Sequence, residues 1–214
     1  MLEQATRLIL VRHGETTWNR ATRIQGHTDI PLSALGLAQA ERRAEALADE
    51  PLAAIYSSDL SRARQTAEAL ARVHELPIAF DAALRERAFG RFEGLSWSEI
   101  DKTYPDDAAR WRRREPDFPV GGGESLQVFS ARCLDAARRA AAAHPGQSIV
   151  LVAHGGVLDC LYRAATGVAL DAPRSWQLGN ATVNRLLATA DGFTLIGWND
   201  DRHLAGLSAD DIAA

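Results

Sequence analysis

The sequence Leu8-Ile9-Leu10-Val11-Arg12-His13-Gly14-Glu15 joins four consecutive apolar residues to a charged turn. An uninterrupted apolar run of this length is typical of a strand that is buried on both faces of a parallel sheet. A second apolar run, at 149–153, leads in the same way into His154-Gly155-Gly156. Because a sheet that is buried on both faces needs helices on either side, the two runs predict an α/β protein.

Short apolar runs alternate with amphipathic helices along the rest of the chain. Apolar residues at spacings of three and four predict helices at 34–49, 60–71, 124–143 and 156–166, with Ser33 and Asp59 as caps of the first two. Further strands are predicted at 53–56, 77–80, 182–189 and 193–198. The last two flank Asp191-Gly192, a dipeptide favoured in two-residue hairpin turns, so we expect them to be antiparallel.

These elements predict one domain over residues 1–214, since the chain shows no internal repeat and no linker. The fold class is α/β: a three-layer α/β/α sandwich whose sheet is mainly parallel, with an antiparallel edge. Residues at about 95–123 are polar and irregular and carry several aromatic side chains. We expect them to form a lid-like insertion in the domain.

The charge of the chain argues against broad classes of partner. The formal net charge is −4 and the isoelectric point is near 5.9. A weakly acidic protein has no overall positive field, so nucleic acid and anionic membrane surfaces are not expected partners. Lys102 is the only lysine, and the other 23 cationic residues are arginines, whose planar donors match carboxylate and phosphate oxygens in pairs.

The sequence also predicts where the protein resides. No apolar run approaches the roughly 18 to 20 residues that a membrane span needs. The first ten residues include charged side chains and show no secretory signal. Cys133 and Cys160 fall at apolar positions of predicted helices, as expected for buried, reduced thiols. We therefore expect a soluble, cytoplasmic protein.

Two histidines follow the two buried runs, and they indicate a binding site. If both runs are parallel strands, His13 and His154 lie at the carboxyl ends, where open α/β sheets bind their ligands. Neutral imidazole also binds metal ions, but Arg12 beside His13 would repel a cation by about 4 kcal/mol at 4 Å and an effective dielectric near 20. An anion is therefore the expected guest.

The segment Ser57-Ser58-Asp59-Leu60-Ser61-Arg62 supports an anion site, because it too follows an apolar strand and opens a helix. Arg62 in a first helical turn is locally unfavourable by about 0.3 to 1 kcal/mol, which favours a functional role. An acid is also needed if the bound group is to react. The glycine-containing segment at 84–94 offers Glu86 and Glu93, and spacing alone does not choose between them.

A longer series of motifs extends over most of the chain. They are Arg12-His13-Gly14-Glu15-Thr16, Trp18-Asn19, Gln25-Gly26, Leu32-Ser33-Ala34-Leu35-Gly36, Ser57-Ser58-Asp59-Leu60-Ser61-Arg62-Ala63, Leu84-Arg85-Glu86, Gly122-Gly123-Glu124-Ser125 and His154-Gly155-Gly156. In this order they resemble the histidine phosphatase superfamily, which is also called phosphoglycerate mutase-like. The resemblance implies a fold of that type and an enzyme that transfers phosphoryl groups.

The resemblance implies roles for the matching residues. His13 would attack phosphorus in line to form a phosphohistidine, and Glu86 would protonate the leaving oxygen and later activate water. The phosphoryl oxygens would be held by Arg12, Asn19, Arg62 and His154. Further substrate contacts are implied for Gln25, Gly26, Arg113 and Gly155. No metal and no cofactor is implied for a phosphatase, and the partner would be a small phosphorylated substrate.

Physical reasoning agrees with those roles. Catalysis of phosphoryl transfer depends on positioning and on preorganised positive charge, which Arg12, Arg62 and a protonated His154 would supply. His13 must be neutral to attack, so its other ring nitrogen should donate to a backbone carbonyl. Neighbouring cations should lower its pKa, which favours the attacking form.

The acid segment separates the branches of the superfamily. Mutases of this type carry Glu-Arg-His-Tyr-Gly there, whereas this chain has Glu86-Arg87-Ala88-Phe89-Gly90. Trp111-Arg112-Arg113-Arg114 instead resembles the arginine pair with which mutases hold the substrate carboxylate. We favour a metal-independent phosphomonoester hydrolase. The alternatives are a phosphoglycerate mutase dependent on 2,3-bisphosphoglycerate and, more remotely, a weakly catalytic phosphate-binding domain. A homo-oligomer is possible.

Overall fold

The computed structural model describes residues 4–208 of the chain. Its centre is a six-stranded sheet with the order β3-β2-β4-β1-β5-β6. The first four strands in this order are parallel, and β5 and β6 are antiparallel additions at one side. The strands are β1 (Thr6–Arg12), β2 (Leu52–Ser57), β3 (Ile78–Phe80), β4 (Ser148–Ala153), β5 (Val183–Thr189) and β6 (Gly192–Asp200). The predicted mixed sheet is therefore confirmed.

Helices cover both faces of the sheet. The helices are α1 (Thr17–Arg20), α2 (Ala34–Ala46), α3 (Ser61–His74), α4 (Trp97–Thr103), α5 (Pro105–Arg112), α6 (Leu126–Ala142) and α7 (Gly155–Thr166). Side chains of β1 alternate between two cores: Leu8 and Leu10 pack with residues of α6 and α7, while Ile9 and Val11 pack with residues of α2 and α3. This alternation follows from the two-residue period of a strand and gives the predicted three layers.

The sequence predicted the caps of α2 and α3, and the structure confirms only the first of these two predictions. Ser33 caps α2 as predicted, since its hydroxyl accepts from the Gly36 amide at 3.1 Å. The expectation that Asp59 caps α3 is wrong, because its carboxylate binds the Arg85 guanidinium instead. Asp29 takes its place from a distant loop: its oxygens accept from the amide and hydroxyl of Ser61 at 2.8 and 2.7 Å.

Other boundaries differ by small shifts with physical causes. Within α2, Leu37 is 45% exposed, although it falls among the apolar residues whose spacing predicts the helix, whereas Gly36 is buried. A Cβ at Gly36 would lie 2.0 Å from the Glu15 carbonyl oxygen. A glycine at this position therefore lets α2 pack closely against the turn that follows β1. Thr189 pairs with Gly192 in the closing hairpin, which places its two-residue turn one position earlier than predicted.

The segment predicted as an insertion has its own small core. It contains α4 and α5. Ile100, Ala108, Phe118 and Val120 of this segment are buried together with Phe92, which precedes it. Trp111 stacks on Phe92 with ring centroids 5.6 Å apart. None of the helices within residues 4–208 has the length and apolar character needed to cross a membrane.

Candidate active site

A cavity of about 520 Å³ opens where the carboxyl ends of the parallel strands meet. Strand register explains the location, since Arg12 of β1 pairs with Ala153 of β4, and Ser57 of β2 pairs with Val152 of β4. The residues that follow these strands therefore converge. The cavity is lined by seven arginines and two carboxylates: Arg12, Arg23, Arg62, Arg87, Arg112, Arg114, Arg174, Glu86 and Asp159. A chain with net charge −4 thus gathers positive charge at one place.

His13 lines this cavity in a defined tautomer. Its Nδ1 lies 2.7 Å from the Gly14 carbonyl oxygen, which can only accept, so Nδ1 carries the proton and Nε2 carries the lone pair. Burial, and then the charges of Arg62 and Arg12, hold the pKa of His13 well below its usual value. The His13 ring is therefore neutral at neutral pH, as the sequence predicted, with burial as the first cause.

Arg12 brings an unused donor to the cavity. Its Nη1 donates to the Leu178 carbonyl oxygen, but its buried Nε has no hydrogen-bond partner among residues 4–208. Burial lowers the pKa of Arg12, and Glu86 and Arg174 act on it in opposite directions. A buried cationic N–H without an acceptor is costly, and an anionic ligand would supply the acceptor.

Arg62 is fully buried and held by three acceptors. Its Nη2 donates to the Gly26 carbonyl oxygen at 2.7 Å and its Nη1 to that of Thr28 at 3.0 Å. Its Nε donates to His154 Nδ1 at 3.2 Å. Burial lowers the pKa of Arg62 to about 10, so the guanidinium stays charged at neutral pH. The unfavourable position in the first turn of α3 is thus explained by the cavity.

His154 lies behind Arg62, and it differs from the prediction. Because Arg62 Nε can only donate, His154 Nδ1 must accept, and its Nε2 then donates to the Ser58 hydroxyl at 2.8 Å. Burial, then Arg62, hold the pKa of His154 well below its usual value. The predicted protonated His154 is therefore wrong: the ring is neutral. Its centroid lies 5.2 Å from that of His13.

The structure separates the two candidate acids. Glu93 is a structural carboxylate, since it accepts from the amides of His27, Thr28 and Phe89 and from the Thr28 hydroxyl. Glu86 lines the cavity and accepts from the backbone amides of Arg87 at 2.9 Å and Gly156 at 3.0 Å. Only Glu86 of this pair is thus placed where it could exchange a proton with a bound group.

Four further predicted residues lie on the cavity wall. Asn19 Oδ1 accepts a hydrogen bond from the Thr16 amide in the cap of α1, which leaves the Asn19 NH₂ group as a donor. Gln25 is buried, and its Oε1 has no hydrogen-bond partner within residues 4–208. Gly26 has φ of 56° and holds Arg62 through its carbonyl. Gly155 lies beside Arg12, since a Cβ there would be 3.4 Å from Arg12 Nε.

Arg113 and His154 are the two predicted residues that do not line the cavity, and Arg113 lies farther toward solvent, whereas His154 is buried. Its side chain is 62% exposed and binds Glu115, with Nη2 at 2.7 Å from Oε1. Arg113 ends α5 and directs its side chain to solvent, whereas its neighbours Arg112 and Arg114 line the cavity. The run of arginines therefore contributes to the site through different members than expected.

The sequence and the fold of this chain are both similar to those of known proteins. The family model of the histidine phosphatase superfamily (branch 1) matches residues 8–201. The chain belongs to the histidine phosphatase superfamily. Phosphoglycerate mutase-like protein 4 of Arabidopsis thaliana is 40% identical to this chain, over 92% of this chain and 86% of the relative.

Two more similar proteins are named as phosphatases. The metal-independent phosphoserine phosphatase of Arabidopsis thaliana is 37% identical over 95% of this chain and 85% of its own length. The solved structure of a mycobacterial glucosyl-3-phosphoglycerate phosphatase superimposes with a TM-score of 0.83 and 32% identity, covering 92% of this chain and all of that one. The fold of this chain is thus shared with a protein named for phosphate ester hydrolysis.

Several residues that position the site were not predicted from the sequence. Asn180 donates through Nδ2 to the carbonyl oxygens of His13 at 3.0 Å and Gly14 at 3.3 Å. The Thr66 hydroxyl accepts from the Gly14 amide at 3.1 Å. Arg132 donates to the Glu86 carbonyl oxygen at 2.8 Å. No local pattern could have found them, because their partners lie 46 to 167 positions away in the sequence.

A metal site would require a cluster of possible ligands. Within residues 4–208, no group of three or more His, Cys, Asp or Glu side chains is arranged to hold a metal ion. The positive charge of the cavity comes from guanidinium groups, whose donors match phosphate oxygens.

The Glu86 carboxylate occupies space that is free only because Gly156 has no side chain. A Cβ at this position would lie 2.2 Å from Glu86 Oε1 and 2.9 Å from Phe129 Cζ. We expect Gly156→Ala to displace the carboxylate and to lower kcat for an alkyl phosphate by about 10²-fold, since misplacing a catalytic group by 1 Å has that cost. Steady-state kinetics with glycerol 3-phosphate measure the effect.

Gly197→Ala is the matched control, because a Cβ there would meet no atom within 4 Å and Gly197 lies in β6, outside the cavity. We expect a change of less than about fivefold there. Equal losses in both variants would contradict a specific clash with Glu86.

Proposed function

We propose that this protein is a metal-independent phosphomonoester hydrolase that acts on a small phosphorylated metabolite through a phosphohistidine on His13. The observation that carries the proposal is the tautomer of His13: the Gly14 carbonyl fixes the proton on Nδ1, so the Nε2 lone pair is available among buried guanidinium groups. Arg12 and Arg62 are the proposed phosphoryl ligands. The orphaned Nε donor of Arg12 supports this role.

The first step transfers the phosphoryl group to His13. Nε2 donates its electron pair to phosphorus while the bond from phosphorus to the leaving oxygen breaks, and Glu86 in its acid form gives that oxygen a proton. The negative charge spreads over the equatorial oxygens, which Arg12 and Arg62 stabilise because their donors are already oriented. His154 is proposed as a neutral ligand that shares its Nε2 proton with Ser58, and Asn19 as a further donor.

The second step hydrolyses the phosphohistidine. Glu86, now a carboxylate, takes a proton from water as the water oxygen attacks phosphorus. The bond from phosphorus to Nε2 breaks, which returns His13 to its neutral form and Glu86 to its acid form. Phosphate and the alcohol are the products. Gln25, Gly26 and Gly155 line the same cavity and are proposed as substrate contacts.

Hydrolysis is favoured over the mutase reaction by two observations. Phe89 lines the cavity and packs on Trp111 with centroids 5.1 Å apart, so this position offers an apolar ring and no hydroxyl. Two of the similar proteins are named as phosphatases, and one of these as metal-independent. The mutase remains the second candidate because another relative is named phosphoglycerate mutase-like.

The test uses p-nitrophenyl phosphate with and without excess chelator. We expect hydrolysis at the same rate in both, because the proposed charges are arginines. Loss of activity with chelator would contradict the proposal and indicate a metal site. A parallel assay follows 3-phosphoglycerate in the presence of 2,3-bisphosphoglycerate, where faster isomerisation than hydrolysis would favour the mutase.

The proposed setting is the cytoplasm, which is supported by the two buried, free thiols of Cys133 and Cys160. The proposed partner is a small phosphorylated substrate and not nucleic acid, since the chain is acidic overall and seven of its arginines line one cavity. The segment at 95–123 is proposed to act as a lid, because Trp97 and Trp111 from it line the cavity. A homo-oligomer would give a molecular mass above 23.2 kDa in solution scattering.

A further inference from the structure

Asn180 connects the proposed nucleophile to a proposed phosphoryl ligand without lining the cavity itself. Its Nδ2 donates to the carbonyl oxygen of His13 at 3.0 Å and to that of Gly14 at 3.3 Å. The same nitrogen lies 3.4 Å from Asn19 Oδ1. One amide group therefore contacts three residues of the turn and helix that follow β1.

The orientation of the Asn180 amide is determined by its partners. The two backbone oxygens can only accept a hydrogen bond. Asn19 Oδ1 is an acceptor as well, since it receives hydrogen bonds from the amide and the hydroxyl of Thr16, both at 3.0 Å. Only the NH₂ end of the Asn180 side chain suits three acceptors. The contact thus depends on a donor and not on shape alone.

The Gly14 carbonyl oxygen links Asn180 to the attacking nitrogen. It accepts from His13 Nδ1 at 2.7 Å and from Asn180 Nδ2 at 3.3 Å. Because the second donor fixes the direction of this carbonyl group, it also fixes the angle of the imidazole ring that donates to it. The contact with Asn19 acts similarly: Oδ1 is engaged, so the Asn19 NH₂ group is left for the phosphoryl oxygens.

The backbone beside Asn180 is strained and held from several sides. Ala181 is fully buried and has φ of 57°, in the left-handed region that non-glycine residues avoid. Its amide donates to the Arg12 carbonyl oxygen at 3.1 Å, and its carbonyl oxygen accepts from His203 Nε2 at 3.0 Å. The Leu178 carbonyl oxygen accepts from Arg12 Nη1. Strain that is maintained by surrounding contacts is typical of functional sites.

We propose that Asn180 is a positioning residue for phosphoryl transfer: its amide donor aligns His13 for attack on phosphorus and directs the Asn19 NH₂ group to the phosphoryl oxygens. The inference rests on the proposed hydrolase function and adds a residue that acts through others. In-line attack requires the Nε2 lone pair to point along the breaking bond, and a misplacement of about 1 Å costs about 10²-fold in rate. Asn180 therefore serves the transition state more than the binding of product.

The first test compares two substitutions by the rate of phosphoenzyme formation from p-nitrophenyl phosphate in single-turnover experiments. Asn180→Asp keeps the shape of the side chain but replaces the donor with an oxygen, whereas Asn180→Ala removes the group. We expect a loss of about tenfold for Asn180→Ala and of at least about 10²-fold for Asn180→Asp, because the carboxylate would face three oxygens. Glycerol 3-phosphate should show the same losses, since Glu86 is unchanged.

Inhibition by vanadate and by inorganic phosphate distinguishes positioning from general damage to the site. Vanadate bonded to the attacking nitrogen adopts the five-coordinate geometry of the transition state, whereas phosphate resembles the product. The inhibition constant of vanadate should therefore rise by about the factor by which the rate falls, and that of phosphate by less than about threefold. Asn180→Ala alone decides this comparison if the aspartate variant does not fold.

Gln177→Ala is the matched control, because it removes an exposed amide side chain from the same segment, 3.5 Å from Asn199 Nδ2 and outside the cavity. Its rate should stay within about threefold of the wild type. The inference is overturned if Asn180→Asp loses no more than Asn180→Ala, or if both inhibition constants rise equally in a folded variant. Failure of the hydrolase proposal is distinct, since the wild type itself would then form no phosphoenzyme.

Discussion

Replacing His13 with alanine is expected to lower kcat for p-nitrophenyl phosphate by at least about 10⁴-fold, because the attacking nitrogen is removed. The wild type should also form an acid-labile, alkali-stable phosphoenzyme, which is the behaviour of a phosphorus–nitrogen bond. Rapid quenching followed by mass spectrometry of the peptide that contains residue 13 measures both its amount and its position. The variant should form none.

His144→Ala is a suitable control for His13→Ala. His144 binds Tyr56 and Gln147 near the amino end of β4, away from the cavity, so its loss should leave kcat within about threefold. A phosphoenzyme that persists in His13→Ala, or a kcat that falls by less than about tenfold, would assign the nucleophile to another group. The fold of each variant is checked by its thermal unfolding midpoint.

Glu86→Gln is expected to have the second largest effect, and its size should depend on the leaving group. Removing a general acid costs about 10² to 10⁴-fold for an alkyl phosphate, whose alkoxide needs the proton. The nitrophenolate ion leaves without much help, so the loss in phosphoenzyme formation should be at least tenfold smaller for p-nitrophenyl phosphate. Single-turnover kinetics isolate this step from the later hydrolysis.

Glu93→Gln provides the matched control in the same loop. Its carboxylate accepts four hydrogen bonds, from the amides of His27, Thr28 and Phe89 and from the Thr28 hydroxyl. We therefore expect the substitution to lower the free energy of unfolding by about 1 to 3 kcal/mol. The ratio of rates for the two leaving groups should stay that of the wild type. If Glu86→Gln slows both substrates equally, Glu86 is a positioning residue and not the acid.

Local patterns predicted the frame of this site well. The apolar run at 8–11 and the run at 149–153 became adjacent parallel strands, so His13 and His154 meet at one edge. The His13 tautomer was predicted from chemical need, since a nucleophile at this position must keep its lone pair. These predictions succeeded because strand burial and turn chemistry are properties of short segments.

Other features of the site depend on distant partners. Spacing left Glu86 and Glu93 equivalent, and only the packing of residues 27–28 against the acid loop makes Glu93 structural. Asp59 was predicted as a helix cap, but Arg85 takes its carboxylate and Asp29 caps α3 instead. Competition among polar groups is settled by which of them the fold brings together.

The arginines show most plainly which features follow from the sequence and which depend on the tertiary structure. The sequence by itself determined the fold class and the edge of the sheet where the site residues meet, because apolar periodicity and short motifs encode them locally. Which arginines line the cavity was decided by tertiary structure: Arg113 points to solvent, while Arg114 and Arg174 meet at Asp159 from separate loops. Side-chain direction there depends on the left-handed φ of Arg114 and on the buried carboxylate of Asp159, and neither can be read from a run of like residues.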